Sequence, residues 1–267
     1  MRCYSLVNPG ECDATYEIAV KLETSGQGGS RYMHGLAVGD RIQVGPPRND
    51  FTLLDEPHDA VLIAGGIGIT PIYAMAQALQ ASRRPYMLHY GARSAELMPY
   101  RREIEALAGA SAHLYFDEGN PDRGMRLPQV LGAHDIHRHA YVCGPRPLID
   151  ATLHEAQQLG WPRENVHFEL FAPSAPLKGD QSIQVTLTLS GKTLNVAADK
   201  SILDAMIDAG CDPLFDCKRG ECGMCAVKML EGVADHRDYA LSDEDRADGM
   251  VCVCVSRAKT AAIKLLV

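Results

Sequence analysis

The stretch that decides the fold of the C-terminal third is CKRGECGMC, residues 217–225, in which four and then two residues separate three cysteines. Two glycines lie between the cysteines, and glycine lets a backbone approach closely and adopt positive φ. This spacing, followed by one distant cysteine, is typical of a [2Fe–2S] cluster held in a loop whose backbone N–H groups bond the sulfurs. We therefore predict that Cys217, Cys222 and Cys225 are iron ligands.

A fourth ligand must come from later in the chain, and MVCVCVSRAK offers Cys252 and Cys254. A strand would place both side chains on one face, so periodicity does not choose between them. Structural zinc is one alternative, but it usually takes two spaced pairs of ligands rather than three crowded into one loop. Inert buried cysteines are the other alternative, although the Lys, Arg and Glu around them would be odd neighbours in a core. We rank the iron–sulfur cluster above both.

The segments around this loop predict a small β-rich domain with one helix. Residues 183–189 alternate apolar and polar side chains, and 193–197 resume the pattern after the turn SGK, which predicts a hairpin. SILDAMIDAG predicts a helix with Ser201 as its N-cap and Gly210 just past its end. AVKML, MVCVCV and AAIKLLV predict further short strands. We expect this domain to cover residues 183–267.

The middle of the chain alternates predicted strands and helices. AVLIAGG predicts a buried parallel strand, GIGIT a tight loop, and PIYAMAQALQAS a helix capped by Thr70 with Pro71 in its first turn. YMLHYGAR, AHLYFD and AYVCG repeat the strand pattern. Such alternation predicts a doubly wound sheet that binds ligands at the carboxyl ends of its strands. A glycine loop before a helix suits a phosphate, and a tight turn without a ligand is the alternative.

The composition is that of an ordinary globular protein, with 46% hydrophobic and 22% charged residues in 267. A net charge of −8 argues against nucleic-acid binding as the main function. The longest apolar run is too short and too rich in glycine for a membrane span, and the first residues lack the apolar core of a signal peptide. Nine cysteines fit a reducing compartment. We therefore expect a cytoplasmic protein that binds neither nucleic acid nor membrane.

The order of short motifs resembles the ferredoxin–NADP reductase superfamily. GGIGITP and CGP resemble the loops that lie along the pyrophosphate and near the nicotinamide, while RCYS, AVK and GGS resemble parts of the flavin barrel. HFELF resembles the segment whose aromatic residue covers the flavin. The resemblance assigns to NADH the residues Gly65, Gly66, Gly68, Thr70, Cys143 and Gly144. It assigns to the flavin the residues Arg2, Tyr4, Ser5, Ala19, Lys21, Gly28, Gly29, Ser30 and Phe171.

The order of flavin, nucleotide and C-terminal ferredoxin parts resembles the phthalate dioxygenase reductase family. That resemblance implies FMN as the flavin, NADH as the electron donor, an oxygenase as the partner and a β-grasp ferredoxin domain. It also implies that Cys254, at the start of a CVSRA motif, is the fourth ligand. In the family several strands precede the RCYS-like motif, whereas here Met1 stands directly before Arg2. We therefore expect a partial flavin barrel.

A flavin is also expected on chemical grounds, because NADH releases two electrons as a hydride and a [2Fe–2S] cluster accepts one electron at a time. We predict a multidomain α/β plus β protein. Its parts are a partial FMN-binding barrel (1–56), a doubly wound NAD-binding domain (57–171), a linker (172–182) and a ferredoxin domain (183–267).

The predicted function is that of a monomeric reductase component of a multicomponent oxygenase. It would pass electrons from NADH through FMN and a [2Fe–2S] cluster to a terminal oxygenase. A Rieske oxygenase is the favoured acceptor, and a cytochrome is the alternative acceptor. The alternative function is a flavin-free electron carrier or docking module in which only the ferredoxin domain is competent.

Overall fold

The computed structural model describes residues 2–8, 15–24, 28–171 and 176–267. The chain divides into two compact units, Met1–Glu169 and Leu170–Val267, and each unit has its own hydrophobic core. In the described ranges, no helix is long and apolar enough to cross a lipid bilayer. The domain bounds proposed from the sequence stay predictions.

A parallel five-stranded sheet forms the centre of the first unit, in the order β3-β2-β1-β4-β5. Its strands are β1 (Asp59–Gly65), β2 (Tyr86–Ala92), β3 (Ala112–Phe116), β4 (Arg138–Cys143) and β5 (Val166–Glu169). The chain builds outward from β1 to β3 and then returns to place β4 on the other side of β1. The predicted doubly wound sheet is confirmed, and the carboxyl ends of β1 and β4 form the crevice where such sheets bind ligands.

Of the helices that the described residues of this unit form, the first buries no side chain and the other four each bury apolar side chains. The helices of the first unit are α1 (Gly29–His34), α2 (Ile69–Ala81), α3 (Arg101–Ala108), α4 (Leu127–Leu131) and α5 (Arg146–Gln158). Ile72 and Leu79 of α2 and Ile104 of α3 are fully buried in one core with Leu88 of β2. The sequence analysis did not predict α4, whose five residues are too few to show a helical period.

The start of α2 differs from the prediction. Residues Gly66–Gly68 form a 3-10 turn that runs directly into α2, so the helix begins at Ile69 with Gly68 as its N-cap. The prediction of Thr70 as the N-cap is therefore wrong. Thr70 lies inside the first turn, where its hydroxyl donates to the carbonyl of Ile67 at 3.1 Å.

The described residues before β1 contain little regular structure apart from α1. Leu6 and Ile18 form one antiparallel bridge, and the N–H of Val7 donates to the carbonyl of Glu17 at 2.9 Å. Residues 19–21, the AVK motif that resembles part of the flavin barrel, do not form a strand. This is the region that the resemblance assigned to the flavin.

The second unit is a small mixed sheet of order β10-β8-β12-β6-β7 with a separate pair, β11-β9. Its strands are β6 (Ile183–Leu187), β7 (Thr193–Val196), β8 (Ala226–Glu231), β9 (Ala234–Asp235), β10 (Met250–Cys252), β11 (Arg257–Ala258) and β12 (Ala262–Leu265). Its helices are α6 (Ile202–Asp208) and α7 (Asp243–Ala247). The predicted hairpin of β6 and β7 is confirmed. Ser201 caps α6 as predicted, since its Oγ accepts from the N–H of Asp204 at 3.0 Å.

Strand β10 is shorter than the sequence predicted. It ends at Cys252, and the N–H groups of Val255 and Ser256 both donate to the carbonyl of Cys252, at 3.3 and 3.0 Å, which makes a turn. The carbonyl of Val253 instead accepts from the N–H of Leu203 in α6 at 2.9 Å. The helix N-terminus thus takes a backbone group that a longer strand would need for pairing.

Candidate cofactor sites

The predicted iron ligands lie on one loop and on the segment that follows β10. Cys217 is half-buried and Cys222 exposed, whereas Cys225 and Cys254 are buried. Strand β8 begins directly after Cys225 and pairs with β10, so that Ala226 lies opposite Cys252. Antiparallel pairing of β8 with β10 therefore brings Cys252 and Cys254, which are distant in sequence, beside the loop.

The cysteine side chains form two groups. Cys217 and Cys222 are hydrogen-bonded to each other, and Cys225 is hydrogen-bonded to both Cys252 and Cys254. A [2Fe–2S] cluster takes four cysteines, two on each iron. Within the part of the chain that the structure describes, no three His, Cys, Asp or Glu side chains are arranged to hold one metal ion. The donor set and its division into two groups fit a two-iron cluster.

The loop has the backbone conformation that such a cluster needs. Gly220 and Gly223 adopt positive φ, +81° and +72°, as predicted. A Cβ on Gly220 would lie only 2.7 Å from a methyl group of Val255, so no larger residue fits there. The N–H of Arg219 donates to the sulfur of Cys217 at 3.3 Å. The loop thus already presents a backbone donor to a ligand sulfur.

Hydrogen bonding also alters the acidity of the thiols. Burial acts to raise the pKa of Cys217, but hydrogen bonds from the backbone of Arg219 and from Cys222 outweigh it and lower that pKa. Hydrogen bonds from Cys252 and then Cys254 lower the pKa of Cys225 to about 3. The pKa values of the other two proposed ligands shift the opposite way: burial raises that of Cys222, and the side chain of Cys225 raises that of Cys254.

Cys252 and Cys254 differ in what surrounds them. Cys254 interacts with both Cys225 and Cys217, and its sulfur accepts a hydrogen bond from the backbone of Gly220. Cys252 interacts with Cys225 but also with the carboxylate of Asp238. Cys254 is therefore the cysteine that faces both groups and the loop backbone.

The crevice of the first unit is built from backbone rather than side chains. A Cβ on Gly68 would overlap the carbonyl group of Cys143 and lie 2.6 Å from the nitrogen of Gly144, and a Cβ on Gly144 would lie 3.0 Å from the Cα of Gly65. The two glycine loops therefore touch, as only glycine allows. Gly66 has φ of +54° and open space where a Cβ would stand.

The first turn of α2 begins in this crevice. No side chain caps it among the described residues, so its backbone N–H groups and helix dipole are available to a phosphate. Thr70 is 2% exposed, and its hydroxyl hydrogen is already directed to Ile67. Cys143 is fully buried at the end of β4. The structure thus brings together the NADH residues predicted from sequence, with Thr70 contributing backbone rather than a free hydroxyl donor.

Two of the predicted flavin motifs also meet. The side chain of Arg2 lies against Gly29, with Nε 3.3 Å from where a Cβ would stand. Gly28 has φ of +90° and precedes α1, and the Oγ of Ser30 accepts from the N–H of Glu23 at 3.0 Å. A guanidinium beside a glycine turn suits a phosphate group.

The other predicted flavin residues differ in their exposure and contacts. Tyr4, Ser5 and Ala19 are half-buried. Lys21 is exposed and forms an ion pair with Glu23 at 2.6 Å. Phe171 is 41% exposed and lies in the second unit, so its role stays a prediction.

The sequence analysis did not predict a buried carboxylate beside the cysteine loop. The side chain of Asp238 is fully buried; its Oδ1 accepts from the Oγ of Ser256 at 3.0 Å and its Oδ2 from the N–H of Leu241 at 3.1 Å. The N–H of Tyr239 donates to the carbonyl of Gly220 at 2.9 Å. Asp238 stands in the charged run DHRD, which gives no signal of burial.

Two family models match the chain. Residues 62–154 match the oxidoreductase NAD-binding domain, and residues 185–259 match the 2Fe-2S iron-sulfur cluster binding domain. The first match begins within β1, extends past β4 and contains both glycine loops, and the second contains Cys217, Cys222, Cys225, Cys252 and Cys254.

Curated relatives match over nearly the whole chain. Tetrachlorobenzoquinone reductase of Sphingobium chlorophenolicum is 39% identical over 99% of this chain and 83% of its own length. The phthalate 4,5-dioxygenase oxygenase reductase subunit of Pseudomonas putida is 35% identical over 99% and 82%. Among solved structures, phthalate dioxygenase reductase, described as modular for electron transfer from pyridine nucleotides to [2Fe–2S], matches with a TM-score of 0.71. It is 34% identical and is matched over 100% of this chain and 83% of its own length.

Proposed function

Because this chain belongs to the phthalate dioxygenase reductase family, we propose that it is the reductase component of a multicomponent oxygenase. It is an oxidoreductase that takes electrons from NADH through FMN and a [2Fe–2S] cluster to a terminal oxygenase. The observation that carries this proposal is the pairing of β8 with β10, which brings Cys252 and Cys254 beside the loop of Cys217, Cys222 and Cys225.

The proposed iron ligands are Cys217 and Cys222 on one iron and Cys225 and Cys254 on the other. This division follows the two groups of hydrogen-bonded thiols. The choice of Cys254 is supported by its position facing both Cys217 and Cys225 and by the hydrogen bond from Gly220. Cys252 is left as a neighbour of the ligands.

The proposed NADH site is the crevice between β1 and β4. The backbone N–H groups at the start of α2 and the loop of Gly65, Gly66 and Gly68 would hold the pyrophosphate. Cys143 and Gly144 would lie nearer the nicotinamide. Since the two loops touch through their glycines, the crevice has a fixed shape before the nucleotide arrives.

The proposed FMN phosphate site is formed by Arg2 with Gly28, Gly29 and Ser30. Their fit is supported by the contact between the guanidinium and the glycine turn. Tyr4 and Ser5 would line the ring system, and Ala19 and Lys21 would lie beside it. When bound, a flavin accepts a hydride and releases electrons singly, so the protein has only to bind and orient it.

A Rieske oxygenase is the proposed acceptor. Plant-type clusters have reduction potentials of about −400 mV, and Rieske centres have reduction potentials of about −150 to +300 mV. Electron transfer from this cluster to a Rieske centre is therefore energetically downhill. A cytochrome acceptor would also be downhill. We propose that the protein acts as a monomer in the cytoplasm, the kind of reducing compartment that its nine cysteines fit.

An absorption spectrum before and after anaerobic addition of NADH, with iron and flavin assayed, tests this function. The proposal predicts one FMN and two irons per chain, with NADH bleaching both chromophores. Iron without flavin, and no response to NADH, would favour the electron carrier or docking module. A protein that holds neither iron nor flavin after reconstitution would contradict both functions.

A further inference from the structure

Two side chains of the NAD-binding domain hold the chain that carries the predicted flavin motif RCYS. The amide Nε2 of Gln77, in α2, donates to the carbonyl of Val7 at 2.9 Å. The hydroxyl of Tyr100, the N-cap of α3, donates to Oε1 of Glu17 at 3.0 Å. These two hydrogen bonds join residues that are 70 and 83 positions apart in the sequence. They are therefore tertiary contacts that no local pattern predicts.

The two contacted residues belong to one antiparallel pair of backbone segments. The N–H of Val7 donates to the carbonyl of Glu17 at 2.9 Å, next to the bridge between Leu6 and Ile18. Val7 is 2% exposed, so its side chain is buried as well as its carbonyl being bonded. The RCYS motif ends directly before this pair. Holding the pair therefore fixes the point from which the motif extends.

Both holding residues are also connected to the nucleotide crevice. Tyr90 is fully buried, and its hydroxyl donates to the carbonyl of Gly66 at 2.9 Å and stands 3.2 Å from the carbonyl oxygen of Pro99. Gly66 belongs to the glycine loop of the crevice, and Pro99 directly precedes Tyr100. Gln77 is connected to the same crevice through α2, whose first turn begins there.

Tyr100 has a backbone conformation that residues other than glycine seldom adopt. Its φ is +56°, in the left-handed region. Its ring stacks on that of Tyr73 in α2, with the ring centroids 5.3 Å apart and the planes 25° from parallel. Such conformations persist where surrounding contacts hold them, and they are concentrated at functional sites. The stacking and the hydrogen bond to Glu17 are contacts of this kind.

We propose that Gln77 and Tyr100 are positioning residues that hold the flavin motif at a fixed place relative to the nucleotide crevice. This inference rests on the proposed function, in which a hydride, two electrons with one proton, passes from NADH to the flavin and leaves NAD⁺. Hydride transfer needs reacting atoms about 3–3.5 Å apart, and a displacement of about 1 Å can lower the rate by about 100-fold. Neither residue is assigned to the nucleotide or the flavin, so each acts through the segment that it holds.

Two variants of the full chain each remove one of these hydrogen bonds, and each has a matched control. Gln77→Ala removes the donor to Val7, and its control is Gln157→Ala, at an exposed glutamine of α5. Tyr100→Phe removes one oxygen atom and keeps the stacked ring. Tyr73→Phe is its control, because it removes the other hydroxyl of the same stacked pair.

Hydrogen exchange of the backbone amides is measured first, on the full chain before FMN is added. We expect exchange in residues 2–8 to be faster by about fivefold in Gln77→Ala and Tyr100→Phe, as for the loss of one hydrogen bond. Exchange in β1 and β4 should not change, since the two residues hold only the flavin motif. Both controls should exchange like the unsubstituted protein.

The limiting rate of flavin reduction at saturating NADH is then measured by stopped flow with FMN bound. We expect a loss of about tenfold or more in Gln77→Ala and a smaller loss in Tyr100→Phe. The NADH concentration at half-saturation and the iron content should not change. A residue that only supported the nucleotide crevice would raise that NADH concentration instead, so the two measurements separate the two roles.

Limiting rates equal to those of the controls would overturn the assignment and leave Gln77 and Tyr100 as packing residues. A change confined to the NADH concentration at half-saturation would also overturn it. If Gln77→Ala does not fold, Tyr100→Phe decides by the same criteria. An unsubstituted protein whose bound flavin NADH does not reduce would contradict the proposed function itself, before any substitution is made. Hydrogen exchange in residues 2–8 would then support or overturn the positioning role without any redox measurement.

Discussion

The cysteine loop and the N-terminal flavin segment each contain a cofactor motif, and they differ in the contacts that hold that motif in place. The loop is fixed by pairing of β8 with β10, by Gly220, where no larger side chain fits, and by a backbone hydrogen bond to the carbonyl of Gly220. In the described residues of the flavin segment, the motifs are held by one isolated bridge, Leu6 with Ile18, and by single hydrogen bonds and side-chain contacts such as that of Arg2 with Gly29. A motif thus locates a site, whereas the contacts around it determine how firmly the site is formed.

The largest expected effect is on the cluster. Cys225→Ser should abolish cluster binding, because these clusters are held by cysteine thiolates and the substitution removes one of the four proposed ligands. Cys3→Ser, at an exposed cysteine outside the loop, is the matched control and should keep two irons. Iron and visible absorbance are measured in both. A full cluster in Cys225→Ser would show that the loop does not bind iron as proposed.

A slightly smaller effect is expected in the crevice of the first unit. Gly68→Ala should separate the two loops, since its Cβ would overlap the carbonyl of Cys143. We expect a loss of about 1–3 kcal/mol in the free energy of unfolding and weaker binding of NADH. Gly45→Ala is the control, because a Cβ there meets open space. Denaturant titration and NADH titration measure the two effects, and equal behaviour of both variants would contradict the close approach.

A third test addresses the N-terminal flavin segment, the less firmly held of the two regions. Arg2→Ala should weaken FMN binding by roughly tenfold or more, as expected for the loss of one charge-assisted hydrogen bond, and should leave the iron content unchanged. Arg41→Ala, another exposed arginine of the same region, serves as the control. Fluorescence titration with FMN gives the affinities. If Arg2→Ala binds FMN as tightly as the control, the phosphate lies elsewhere.

The smallest expected effect is a difference in acid stability between the units. Burial, followed by the neighbouring His113, lowers the pKa of His89 to about 4, and burial followed by His139 lowers that of His167 to about 4. The folded state therefore binds these protons less readily than the unfolded state. Stability is full above about pH 6.5 and falls as the pH drops toward 4. Each residue contributes at most about 2 kcal/mol at pH 5, less where solvent screens it.

Two probes separate the units in this measurement. Trp161 is the single tryptophan of the chain and is buried in the first unit, so its fluorescence follows that unit during denaturation. Visible circular dichroism of the cluster follows the second unit, which contains one histidine, His236. We expect the first unit to lose stability between pH 7.5 and pH 5. Equal stability of the first unit at both pH values would contradict the assigned burial of these histidines.

Much of the fold follows from local patterns in the sequence. Alternation in residues 183–187, the cap at Ser201 and the buried strand before Gly65 each depend on near neighbours, and each is confirmed. The failures have a common cause. The start of α2 before Thr70 and the end of β10 at Cys252 are set by contacts with other parts of the chain, which a local pattern does not contain.

The candidate site residues also divide into those that a local motif predicts and those that depend on contacts distant in sequence. Loop spacing predicts the cysteine ligands without any structure, because the ligand type and its spacing are both contained in the motif. The distinction between Cys252 and Cys254 depends on which of them faces Gly220 and which faces Asp238, and both contacts are distant in sequence. The burial of Asp238 is likewise hidden by its charged neighbours. Side-chain direction and long-range burial are what the sequence alone does not supply.

The most direct test of the central claim is the content of iron and acid-labile sulfide in the full chain after anaerobic reconstitution. The account predicts two irons and two sulfides per chain, lost together in Cys225→Ser. One zinc per chain with no sulfide, bound by the same cysteines, would contradict it.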